Sequence, residues 1–358
     1  MSYVAALDGL RCVAALAVLV YHGWEWRLPG GFLGVDIFFA ISGYLITGTL
    51  LEGRKRHGRI QLGSFYLRRL RRLLPALVVT LILTRILWPS GGPDYTDAAK
   101  ATLLYYANWK GVFDGPNSLG WLAHAWSLSI EEQFYLLWPS ALVGIFCLSQ
   151  NPRSAARLVV AAVGMLVVAK VIGTARNSSL FASASTFARM DELLLGSALA
   201  LYPPTPPEHP SWLRRQASLI AFLATGILLF VPNLYPHWLD YGGFTCVALL
   251  SAFIVRELTL IPEATLSLLL SWKPVREIGK RSYLYHYPVV KWVGGFQRSG
   301  AMNAWMVNAL KVGRPLALAW LSYRFIEEPF LRKRPSPDFS SKPLLLGKPS
   351  RSGSPRTE

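Results

Sequence analysis

Leu7-Asp8-Gly9-Leu10-Arg11-Cys12-Val13-Ala14-Ala15-Leu16-Ala17-Val18-Leu19-Val20-Tyr21-His22 is the stretch that decides the fold of this 358-residue chain. From Leu10 to Tyr21 its only formal charge is Arg11. The run reads as a membrane-spanning helix with one arginine near its start and one histidine near its end. Eleven positions on a helix are about 16.5 Å of rise and three turns plus roughly 20°, so Arg11 and His22 project from one face. Ionisable side chains in hydrocarbon are costly and normally face a bundle interior or a watery cavity. Two readings fit the pair. In one, His22 is a buried packing residue and Arg11 a snorkelling anchor; in the other, the shared face points at a catalytic site.

The rest of the composition supports a membrane protein. Hydrophobic residues are 52% and charged residues only 16%, with a mean hydropathy of +0.33. Such a chain buries its apolar surface in lipid, which excludes an ordinary soluble domain. At about 20 residues per span there is room for around ten helices with short loops and no appended soluble domain. Hydropathy places them near 7–24, 32–51, 73–89, 122–148, 158–174, 186–202, 217–232, 241–255, 283–297 and 303–325. The expected fold is an all-α, polytopic transmembrane bundle over 1–330, followed by a disordered basic cytoplasmic tail over 331–358. With neither a basic leader nor an Ala-x-Ala site ahead of it, the first span is expected to be retained as an anchor.

The net charge of +17 is distributed by topology. One set of alternate loops holds only Arg27, Lys100, Lys110, Arg176 and Arg298, and the other set and the tail carry the great majority of the basic residues. By the positive-inside rule both termini are cytoplasmic, and nucleic-acid binding is not needed to explain the charge. Cys12, Cys147 and Cys246 fall within spans without metal-ligand spacing and read as small packing residues.

Further polar groups punctuate the apolar runs. The second span carries Gly34, Asp36 and Gly43. The glycines are expected to let it pack closely on the first span, and Asp36 is either a solvated end residue or an orienter of a histidine or arginine. Arg68, Arg69, Arg71 and Arg72 precede the third span; they serve topology, or hold an anionic donor with their planar forks. The fourth span opens His124-Ala125-Trp126-Ser127-Leu128-Ser129-Ile130-Glu131-Glu132. Adjacent residues on a helix diverge by about 100°, so one glutamate is expected to face a site and the other to pair with an arginine. Arg189, Asp191 and Glu192 in the sixth span read as an internal ion pair locking helices together. In the ninth, Tyr285, His286 and Pro288 predict a kinked helix whose histidine is tied to a freed carbonyl. The charges of Arg324, Glu327 and Glu328 fall at the cytoplasmic boundary.

Taken together, the Leu7–Arg11 stretch with His22, the Gly34-Val35-Asp36-Ile37-Phe38-Phe39-Ala40-Ile41-Ser42-Gly43-Tyr44 run, the Trp126–Tyr135 stretch and Tyr323-Arg324-Phe325-Ile326-Glu327-Glu328-Pro329 resemble the acyltransferase-3 family. These are integral-membrane O-acyltransferases of bacterial surface and secreted glycans. The resemblance runs from Leu7 to about Phe330; the Ser282-Tyr283 to His286 spacing is shorter than usual, and the segment from Val289 to Asn303 is brief and polar for a span plus its loop. It implies a multi-pass protein of the bacterial cytoplasmic membrane, moving an acyl group, commonly acetyl, from acyl-CoA to a sugar hydroxyl, with no metal. Its expected partners are the lipid bilayer, a glycan or lipid-linked saccharide acceptor and other polysaccharide-assembly proteins.

A neutral imidazole suits proton removal from a weakly nucleophilic hydroxyl. His22 is therefore the candidate general base or acyl relay, with Glu131 or Asp36 orienting it. Arg11 and the Arg68, Arg69, Arg71 and Arg72 cluster are the candidate donor-binding residues; Ser127, Glu132, Arg189, Asp191, Tyr285 and His286 complete the candidate site. The rival reading is a transporter or flippase with intramembrane charges as a proton relay, although no paired half-repeats are visible. A catalytically inactive scaffold is a third.

Overall fold

The computed structural model describes residues 3–176, 179–202, 207–231, 238–281 and 284–332. Among them there is no strand. The helices are α1 (Ala5–Gly23), α2 (Gly34–His57), α3 (Leu62–Leu87), α4 (Gly92–Leu103), α5 (Ala107–Asp114), α6 (Ala125–Leu148), α7 (Pro152–Arg176) and α8 (Ser179–Ala184). They continue with α9 (Thr186–Leu201), α10 (Trp212–Phe230), α11 (Phe244–Leu260), α12 (Thr265–Leu270), α13 (Lys273–Gly279), α14 (His286–Arg298), α15 (Ala304–Ser322) and α16 (Glu328–Arg332). Each of the ten apolar runs overlaps a helix, from 13 residues in α14 to 26 in α3, and shorter helices fill the connections. Five segments among the described residues are long and apolar enough to cross a membrane, lying at Ala5–Gly23, Gly31–His57, Pro152–Ala175, Trp212–Phe230 and Leu239–Leu260. The basic tail and Ser282-Tyr283 lie outside the described residues.

Helix α2 is the axis of the bundle. On one side, Phe39 and Ile46 join Phe134, Leu142, Val159 and Leu193 from α6, α7 and α9. On the other, Ile37 and Ile41 join Leu10, Ile254, Leu258 and Leu266 from α1, α11 and α12. Helices α7 and α10 are as apolar but mostly uncovered, as expected of rim helices that turn their hydrophobic surface to lipid. Gly34 packs on α1 as expected: a Cβ there would stand 2.5 Å from the Ala14 carbonyl oxygen. Gly43 does not meet the first span. A Cβ on it would lie 1.8 Å from the Leu193 carbonyl oxygen of α9, so α2 and α9 approach backbone to backbone.

Other sequence expectations are corrected. The Arg68–Arg72 cluster is not in a loop, because α3 begins at Leu62 and the arginines ride on its second and third turns. Pro288 does not kink a helix. Helix α14 starts at His286, and Pro288 lies in its first turn, where no intrahelical partner is lost. Glu327 is not a boundary charge but is buried, accepting from the Ser322 hydroxyl at 3.2 Å. Of the three cysteines only Cys12 is buried; Cys147 and Cys246 are exposed at the helix surface.

Candidate active site

Arg11, Val18 and His22 fall within about 40° of one another on the helical wheel, because their spacings of seven and eleven bring nearly whole turns. All three line one cavity of about 220 Å³ between α1, α2, α3 and α6. The four arginines of α3 span an arc of about 160°, because Leu70, the residue between the two pairs, points away from the others. That arc lines a second cavity of about 410 Å³. The first and second cavities share Arg11, Ser42, Arg69, Arg72 and Tyr135 as a common wall. A third cavity, about 310 Å³, shares Val18, His22, Val35, His124 and Trp126 with the first. The three therefore run in series from an arginine-lined mouth, past a group of histidines, to a chamber walled by Asn108 and Arg189.

The histidines meet at the junction of the first and third cavities. The His22 ring centroid lies 5.3 Å from that of His286 and 4.6 Å from that of Tyr287. His124 is 5.1 Å from His286 and 5.5 Å from Tyr287. Three elements distant in sequence, α1, the start of α6 and the start of α14, thus place three imidazoles together. Sequence reasoning singled out His22 and His286 and passed over His124. The signal was there: His124 stands one residue ahead of α6, in the same stretch as Trp126 and Ser127.

The two glutamates of α6 diverge as their 100° offset requires. Glu131 lines the histidine cavity and accepts from the Ser42 hydroxyl at 2.9 Å. Glu132 pairs with Arg69 at 3.1 Å, and the Arg69 guanidinium also lies 3.8 Å from the centroid of the Tyr135 ring. The arginine is thereby held rigid at the passage between the arginine-lined mouth and the histidines. Arg11 sits 3.7 Å from Asp8 on its own helix. Ser127 lines the same cavity and donates to the His124 carbonyl at 3.3 Å. Lys280 and Arg281, just past α13, also line it and were not anticipated. The Lys280 hydrogen bond holds the Glu277 carboxyl below its ordinary range, and the same 2.8 Å contact raises Lys280.

Asp36 serves a different purpose. Its ion pair is with Arg189, at 3.3 Å, and Arg189 also contacts Glu192 at 3.1 Å. Asp191 accepts from Lys170 at 2.8 and 3.0 Å and from the Thr245 hydroxyl at 2.5 Å. These fully buried pairs tie α9 to α2, α7 and α11, as the internal ion-pair reading anticipated, although Lys170 had gone unnoticed in its apolar run. Arg189 alone of this group reaches a cavity wall. Tyr285 is buried away from the cavity, its hydroxyl 2.6 Å from that of Ser322. Among the described residues no cluster of His, Cys, Asp and Glu has a metal-binding arrangement.

Comparison with known proteins fits this geometry. The chain is 35% identical over 352 residues to the peptidoglycan O-acetyltransferase OatA of Listeria monocytogenes, covering 91% of this chain and 56% of the relative. It is 33% identical over 355 residues to a Staphylococcus aureus (strain COL) protein bearing an O-acetyltransferase name, covering 93% of this chain and 58% of the relative. The chain thus spans little more than half the length of these relatives. No solved structure matches it. The acyltransferase domain family model covers residues 4–324, nearly all of the described helices, and the chain belongs to that acyltransferase-3 family.

Proposed function

We propose that the protein is a membrane O-acyltransferase that moves an acetyl group from acetyl-CoA to a sugar hydroxyl of a cell-surface glycan. The observation that carries this reading is the series of cavities with shared walls, which joins an arginine-lined mouth to the histidine cluster. The mouth suits a polyanionic donor. Arg68, Arg71 and Arg72 offer planar forks for its phosphates, and Arg11 and Arg69 lead inward to where a pantetheine arm would carry the thioester. His22, at the junction, is the general base or the acyl relay, and Glu131 and Ser42 form the polar wall beside it. The third cavity admits the acceptor. Peptidoglycan is the acceptor class that the name of the Listeria relative supports. Both termini are cytoplasmic in this reading, which puts the basic mouth on the side where acetyl-CoA is available.

The same passage would suit a transporter, so the assay must report chemistry. Membranes from cells expressing the wild type or His22→Ala at matched levels are given radiolabelled acetyl-CoA, and label is followed into extracted lipid-linked and polymeric glycan. Label that appears with the wild type and vanishes with His22→Ala is the expected result. Equal labelling removes His22 from the mechanism. No labelling with either, together with gradient-driven glycan movement, establishes the transporter.

A further inference from the structure

His124 has no role in the reading above, yet its geometry is that of a base. Its Nε2 lies 2.8 Å from the Leu284 carbonyl oxygen. A carbonyl only accepts, so in the neutral imidazole Nε2 carries the proton and Nδ1 holds the bare lone pair. Nδ1 is buried and has no hydrogen-bond partner among the described residues. The residue is 91% buried by its 9% relative exposure, and it lines both the donor-side and the acceptor-side cavity. A buried nitrogen without a partner in the folded protein is costly unless a ligand hydroxyl supplies one. One ring nitrogen anchored to a fixed acceptor, the other left without a partner in a ring that lines a cavity, is the arrangement that orients a hydrolytic-triad histidine, with a backbone carbonyl in place of the carboxylate.

Resting on the acyltransferase reading, we propose that Nδ1 of His124 takes the proton of the acceptor sugar hydroxyl, which leaves His22 to carry the acyl group. In the first half, a nitrogen of His22 attacks the thioester carbonyl, the C–S bond breaks, and the thiol departs with the proton that His22 loses. In the second, the sugar oxygen attacks the acyl-imidazole carbon as Nδ1 of His124 accepts its proton. The C–N bond then breaks, and the proton passes to the departing nitrogen of His22. Both imidazoles end neutral, His22 as the other tautomer, which proton exchange resets, and the net change is thioester plus alcohol to ester plus thiol. Tyr287 and His286 pack against both rings and bring the two histidines to one cluster.

His124→Gln separates a base from a structural residue. The glutamine amide can still donate to the Leu284 carbonyl but has no basic nitrogen. Purified wild type, His124→Gln and His22→Ala are compared for acetyl transfer from labelled acetyl-CoA, donor binding, thermal stability and label retained on protein. The expected result is a transfer rate at least ~100-fold lower for His124→Gln, with donor binding and melting temperature unchanged and acetyl label held on the protein, which His22→Ala does not acquire. Transfer within threefold of wild type overturns the proposal, as does a loss matched by lost donor binding or a collapsed melting temperature. A wild type that transfers no label overturns the acyltransferase reading and this proposal with it.

Discussion

Replacing Lys170 by methionine removes the ammonium from a pair in which both side chains have no exposure at all. Asp191 accepts three hydrogen bonds, two of them from Lys170, and would be left with Thr245 alone. Hydrogen bonds to charged groups contribute about 1.5–3 kcal/mol each, and two to the same ammonium do not add fully. Stripping one partner from a buried pair costs about 3–5 kcal/mol, and that is the loss expected here. Lys170→Met/Asp191→Leu removes both charges at similar volume. It should cost no more than about 1 kcal/mol, chiefly from the Thr245 hydroxyl that loses its acceptor. Denaturant titration of detergent-purified single and double variants measures how much stability the double recovers over Lys170→Met, expected at about 2–4 kcal/mol. A double variant as unstable as the sum of the two singles would refute the reasoning. Asp191 is two residues from Arg189 on α9, so the single variant should also lose transfer activity while the double keeps most of it.

Two further predictions use the packing and the mouth. Gly43→Ala forces a Cβ into the Leu193 backbone and should destabilise by about 3 kcal/mol or more. Gly53→Ala, with nothing within 4 Å of the new Cβ, should stabilise α2 by roughly 0.5–1 kcal/mol in the same titration; similar effects at both sites would contradict the α2–α9 contact. Arg69→Lys keeps the charge but loses the guanidinium contact with Glu132 and the stack on Tyr135, worth about 1–2 kcal/mol. The KM for acetyl-CoA should rise roughly 5- to 30-fold, and an unchanged KM would take Arg69 out of donor binding.

The helical character, the position of nearly every long helix and the shared face of Arg11 and His22 were legible in the sequence. Hydropathy reports burial in lipid or in neighbouring helices directly, and helical periodicity fixes which residues of one helix point the same way. The divergence of Glu131 and Glu132 was legible for the same reason. Which partner each residue meets was not. Gly43 had a close neighbour written into it, but nothing local says that the neighbour is α9 and not α1. Lys170 was hidden in an apolar run, and its partner Asp191 is 21 residues away on another helix. Pro288 read as a kink because the sequence does not show that α14 begins only two residues before it.

The sequence by itself determined that this is a helical membrane protein with arginine, histidine and glutamate turned inward, since those properties follow from composition and from geometry within one helix. Only the tertiary structure decided that His22, His124 and His286 form one cluster and that the arginine mouth opens onto it. It also decided that Asp36 answers to Arg189. The reason is physical: contacts between helices depend on crossing angles and on the close approaches that small residues permit. Those are properties of pairs of helices far apart in the chain, which no single stretch encodes.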